Sequence, residues 1–287
     1  MNLRSLLWSN AVTSLAAAGC VVTALELSGM EWQNGGMAAF ALGISAATWC
    51  AYSWQRHVKS TRPEGLRPAH QVWQQRNRRG LRFIAAGLLP LALLPVGLTA
   101  WESGLQNVPL WLGIGIALAA GVTALYAGLP GHAGSRQALR RLPGLKMIWI
   151  GLTWSIITAL WPIGHGLLLD QEALVHPGWV ALDRFLVIAA LTLPFDLRDR
   201  AWDSPRMRTW PQWLGPKGTR SLALAFVAAA MGVRWLAHPE ATSVALGLVP
   251  MAWAVSLAHE ERPAGYYVGL DALLLVDAAW LSWGPTF

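Results

Sequence analysis

Three aspartates, Asp196, Asp199 and Asp203, fall within the segment 193–215, LPFDLRDRAWDSPRMRTWPQWLG. A helix turns about 100° per residue, so spacings of three and four keep these carboxylates on one face, within roughly 60° of one another. Three stacked acids repel each other unless cations or water reach them. Mg²⁺ prefers carboxylate oxygen and commonly bridges to phosphates, so the spacing suggests a metal-diphosphate site. The alternative is a solvated acidic face interleaved with Arg198, Arg200, Arg206 and Arg208. The apolar residues that lead into the segment favour the site, because ionisable groups near a bilayer are costly and usually functional.

The elements that must position these acids are membrane helices. Of the 287 residues 54% are hydrophobic and only 13% are charged, against about 25% charged in a soluble domain. There are 18 Trp against 6 Phe and 4 Tyr. Many of the Trp lie near the ends of apolar runs, as in interfacial aromatic belts. Cys20 and Cys50 lie in apolar runs and form neither a disulfide framework nor a metal pattern. Arg4 followed by an apolar run to Cys20 has the look of a lipoprotein signal. The run continues through Val21, Val22 and Leu25, which favours a first membrane helix.

A spanning helix needs about 20 mainly apolar residues. Nine segments qualify, at about 5–27, 36–55, 81–100, 108–128, 146–168, 180–197, 219–237, 241–258 and 266–284. The loops between them alternate in charge, and 20 of the 22 Lys and Arg fall on one side. Only Arg184 and Arg234 fall near the other. The positive-inside bias then predicts a cytosolic N-terminus and an outer C-terminus. It also accounts for the net charge of +7 without nucleic acid. Reporter fusions after Ser103, Gln137, Glu172 and Thr219 are expected to read outside, inside, outside, inside. Two adjacent loops on one side would break this topology. With no linker or repeat, residues 1–287 read as one all-α membrane domain, expected in a bacterial cytoplasmic (inner) membrane.

The aspartates, followed by Arg208-Thr209-Trp210-Pro211 and Leu214-Gly215, resemble the second aspartate motif of the UbiA superfamily of intramembrane prenyltransferases. That motif runs D-x-x-D-x-x-x-D and then a T-L-P…L-G tail; Trp210 stands here for the usual leucine. The stretches Leu125-Tyr126, Leu142-Pro143-Gly144-Leu145-Lys146 and Thr153-Trp154-Ser155 resemble the family's approach to its fifth helix. The resemblance implies a nine-helix bundle around a central cavity. It implies transfer of an isoprenyl group from a prenyl diphosphate to an aromatic or lipid acceptor. Asp196, Asp199 and Asp203 would then hold Mg²⁺, and Lys146 and Arg200 would steady the diphosphate.

The family's first motif, N-D-x-x-D, belongs at the cytosolic end of the second helix. That place here reads Tyr52-Ser53-Trp54-Gln55-Arg56-His57-Val58-Lys59, and no Asp precedes Asp170. Arg56, His57 and Lys59 are the expected diphosphate contacts in its stead, since Arg suits planar, bidentate phosphate binding. In the family fold the second and sixth helices face each other, so this segment should oppose the aspartates. Three functions remain open. The chain is a prenyltransferase with a reduced metal site; or a non-catalytic relative that binds a lipid or a membrane partner; or a carrier for an amphipathic substrate. The basic residues around 56–82 also suit anionic lipid, at about 1 kcal/mol each.

Overall fold

The computed structural model describes residues 8–33, 35–60, 68–126, 139, 142–203 and 205–283. Within them every regular element is helical. Nine helical elements follow one another: α1 (Ala11–Ser28), α2 (Gly35–Ser60), α3 (Pro68–Ser103), α4 (Leu110–Tyr126), α5 (Lys146–Leu168), α6 (Pro177–Asp199), α7 (Trp210–Ala237), α8 (Thr242–Ser256) and α9 (Ala264–Trp283). Five of these, α1, α3, α5, α7 and α9, are long and apolar enough to cross a membrane. Large apolar side chains such as Phe83, Trp101, Trp253 and Trp283 face outward, the pattern of a lipid-facing surface rather than of a soluble one.

Local chemistry sets the breaks. Pro162 lacks an N–H and crowds the carbonyl four residues back, and α5 widens into one π turn over Ile156–Leu160 just ahead of it. α8 is interrupted at Gly247 and Leu248, and Pro250 opens its second half. α3 begins at Pro68, well before the apolar run expected at 81. A hydropathy window registers only the apolar part of a helix, and this helix continues through Arg76, Arg78, Arg79 and Arg82.

Charged groups also sit inside the bundle. Arg234 on α7 is 1% exposed and reaches two aspartates, Asp183 of α6 at 2.8 Å and Asp277 of α9 at 2.7 Å. Arg184 is fully buried and donates to the Cys20 carbonyl on α1 at 3.2 Å. The two cations assigned to the outer side thus tie four helices together. In hydrocarbon such groups pair with one another or with backbone carbonyls.

The segment after α6 is built as a clasp. Gln212 Oε1 accepts from the Thr209 N–H at 3.0 Å, half of a capping box that starts α7. The same side chain donates through Nε2 to the Asp203 carbonyl at 3.0 Å. Trp210 Nε1 donates to the Gly144 carbonyl at 3.0 Å, and the Gly144 N–H reaches the Met207 carbonyl. The residues after the aspartates therefore position the residues before Lys146. Gly215 kinks α7 at φ 65°, ψ −179°, a region open essentially to glycine alone. A Cβ there would meet open space, so the cost of Gly215→Ala is purely conformational. It is expected to destabilise by about 1–3 kcal/mol, seen as a lower thermal midpoint in detergent. An unchanged midpoint would show that the kink is not held in the folded chain.

Candidate functional site

A cavity of about 970 Å³ opens at the end of the bundle where α2 and α6 finish and α5 begins. Asp196, Asp199 and Asp203 all line it. The single-face argument holds for the first two only. α6 ends at Asp199, and Asp203 returns through a turn in which its N–H bonds the Asp199 carbonyl at 2.8 Å. α2 contributes Gln55, Arg56 and Lys59 to the same cavity. Arg56 and Lys59 are three apart and share a face. Arg56 donates to the Trp8 carbonyl and lies 3.4 Å from His70 Nε2. Lys59 sits 5.4 Å from the centre of the Tyr126 ring.

The carboxylates are held by cations of the chain itself. Lys146 Nζ, at the first residue of α5, lies 2.7 Å from Asp196 Oδ1 and 2.9 Å from Asp203 Oδ2. Arg198 grips Asp199 with two parallel bonds at 2.8 and 2.9 Å. Its guanidinium also stacks over Phe195 and Tyr267. Asp196 is 2% exposed, and its Oδ2 has no hydrogen-bond partner among the described residues. Behind this charged rim the walls turn apolar and aromatic, with Tyr52, Trp154, Leu191, Phe195, Tyr267 and Leu274.

Two expected contacts lie elsewhere. His57 is about 100° around α2 from Arg56 and is not among the cavity-lining residues. Arg200 does not line the cavity either; it pairs with Glu260 at 2.9 Å. Other contributors went unmarked in the sequence. Arg198 appeared only as one of the interleaved cations. Asp271 of α9 also lines the cavity and accepts from Thr13 Oγ1 at 2.5 Å. Its signal was there to use: an acid inside an apolar run faces a partner or a cavity.

Solved structures now place the architecture. The chain matches the apo structure of a UbiA homologue from Aeropyrum pernix K1 at 15% identity over 91% of this chain and 94% of that one, with a TM-score of 0.56. The fold is that of UbiA. A UbiA homologue from Archaeoglobus fulgidus bound to GPP and Mg²⁺ matches at 11% identity over 97% of each chain, with a TM-score of 0.54. The same organism's UbiA homologue bound to Cd²⁺ gives 11% identity and a TM-score of 0.51 over 96% of this chain and 99% of that one. No protein-family model and no curated protein matches the chain in sequence. The UbiA fold survives here at an identity where little beyond the packing is shared.

The Mg²⁺ cluster suggested by the aspartate spacing does not fit the residues present. Among the described residues no three His, Cys, Asp or Glu side chains converge to hold a metal ion. Lys146 fills the space between two of the carboxylates, and Arg198 covers the third. α2 adds the cations Arg56 and Lys59 to the same cavity.

Proposed function

We propose that this chain is a UbiA-like membrane prenyltransferase that holds the diphosphate of an isoprenyl diphosphate on its own cations and passes the isoprenyl group to a lipophilic acceptor. One observation carries this reading: Arg56 and Lys59 line the same cavity as a carboxylate ladder whose three members are each paired with Lys146 or Arg198, and apolar and aromatic residues line the rest of it. A diphosphate entering the cavity meets guanidinium and ammonium groups, and hydrogen bonds between such ionised partners are the strong ones. When the allylic C–O bond breaks, the departing diphosphate keeps the electron pair and the cations absorb its growing charge. A nucleophile on the acceptor supplies the pair for the new bond and then loses a proton. The UbiA homologue bound to GPP lends the substrate class. The reading places the chain in a bacterial cytoplasmic membrane, with the basic end of the bundle in the cytosol.

One feature favours a second function. A ladder whose carboxylates are already paired before any ligand arrives also suits a non-catalytic protein that simply binds a prenyl lipid. A single experiment separates the two. Purified protein is given radiolabelled geranyl diphosphate and extracted membrane lipids, with Mg²⁺ or with EDTA. Binding that persists in EDTA together with a labelled lipid product is the result expected of the transferase. Binding without product selects the non-catalytic function. If geranyl diphosphate does not bind at all, both are wrong.

A further inference from the structure

We propose that the Lys146 ammonium is a built-in replacement for a divalent cation, so that the aspartate site works without metal and one substitution makes it a metal site. The proposal concerns the ion alone and stands whether or not the cavity takes a prenyl diphosphate.

The geometry is that of an ion between two ligands. Asp196 Oδ1 and Asp203 Oδ2 converge on one nitrogen at 2.7 and 2.9 Å. A Mg²⁺ ion would draw such oxygens to about 2.0–2.1 Å, a contraction of about 0.6–0.9 Å. The two carboxylates come from different local structures, one inside α6 and the other in the turn after it. The Gln212 and Trp210 bonds of the clasp fix that turn against the start of α5. The convergence is therefore built into the backbone and does not depend on lysine to gather it.

Lysine satisfies the site incompletely. It is a compact point charge with three donors. The second oxygen of Asp196 remains buried and without a hydrogen-bond partner among the described residues. That oxygen carries lone pairs the ammonium does not use. The lysine side chain is 13% exposed and the two aspartate side chains 3% and 7%, so the positive charge is enclosed. A divalent ion arriving in the wild-type protein must first displace the ammonium from both carboxylates. The α2 wall adds the charges of Arg56 and Lys59 to the same cavity, which further disfavours a second cation.

Removing the ammonium reverses the balance. Lys146→Met keeps the length and apolar stem of the side chain and leaves two buried carboxylates facing each other. They must then take up a proton or a metal ion. Mg²⁺ and Mn²⁺ are commonly held by one or two carboxylates with water completing the shell.

The test uses Mn²⁺ and the full-length protein in detergent, read by electron paramagnetic resonance of the free ion. Lys146→Met is expected to bind one Mn²⁺ per chain at least about tenfold more tightly than wild type, and Asp196→Asn added to it should abolish that site. Lys146→Arg keeps the charge and should show no gain. The proposal is overturned if wild type already binds one Mn²⁺ with the affinity of Lys146→Met and loses it in Asp196→Asn, or if folded Lys146→Met gains no site. Should Lys146→Met fail to fold, the wild-type titration decides: an Asp196-dependent Mn²⁺ site refutes the proposal, and its absence upholds it.

Discussion

Arg234→Leu is expected to destabilise the bundle by about 3–5 kcal/mol, the range for breaking a buried ion pair by removing one partner. Arg234 joins Asp183 and Asp277, and all three side chains are 1% exposed. Without the guanidinium two carboxylates remain deep in the protein with no cation between them. Such a loss is a large fraction of the stability of an ordinary domain, and it should appear as a sharply lower thermal midpoint or a loss of monodisperse protein in detergent. Arg234→Lys should recover only part of it, because one ammonium cannot reproduce two bidentate grips. Replacing all three residues with leucine or methionine should restore most of the midpoint, since a buried ion group exchanged for apolar residues of similar volume is often neutral or better. If Arg234→Leu leaves the midpoint within about 1 kcal/mol of wild type, the triad is not what holds α6, α7 and α9 together. The triad sits about 20 Å along α6 from Asp196, at 1.5 Å per residue, so these substitutions test packing and not the cavity.

The helices were largely legible in the sequence, because bilayer thickness imposes a length that apolar runs display. The segment expected at 146–168 matches α5 residue for residue, and those expected at 180–197 and 266–284 fall within a few residues of α6 and α9. What composition could not show was direction within the bundle. Arg184 and Arg234 counted as outer-side charges, yet each faces inward to a partner on another helix. The same limit applied at the site. The spacing of Asp196 and Asp199 gave their common face, but Asp203 reaches the cavity through a turn, and only the clasp made by Gln212 and Trp210 explains how. Lys146 was singled out as a diphosphate contact, and in the structure it pairs with Asp196 and Asp203. That pairing was not legible, because pairing across α5 and α6 is a tertiary fact that neither segment carries alone. The missing first motif was plain in sequence; that Arg56 and Lys59 line the cavity while His57 does not follows from which face of α2 turns inward.

That inward face sets the largest effect expected on ligand binding. If a diphosphate is held between α2 and the ladder, Arg56→Ala should weaken geranyl diphosphate binding in EDTA by about 10- to 100-fold, since hydrogen bonds to charged groups are worth about 1.5–3 kcal/mol and each 1.4 kcal/mol is tenfold. Arg56→Lys should weaken it less, because the charge remains while the planar two-pronged contact is lost. Lys59→Ala should fall between wild type and Arg56→Ala, because Lys59 adds charge at the same wall without a rigid fork. His57→Ala, about 100° around the helix, should leave binding unchanged and serves as the internal control. Arg56 also donates to the Trp8 carbonyl, so thermal midpoints must be compared to separate loss of contact from loss of fold. Equal binding by wild type and by a folded Arg56→Ala would mean that the diphosphate does not lie against α2. In that case the cations on this wall would be left with a structural role, neutralising Asp271 and the ladder across the cavity.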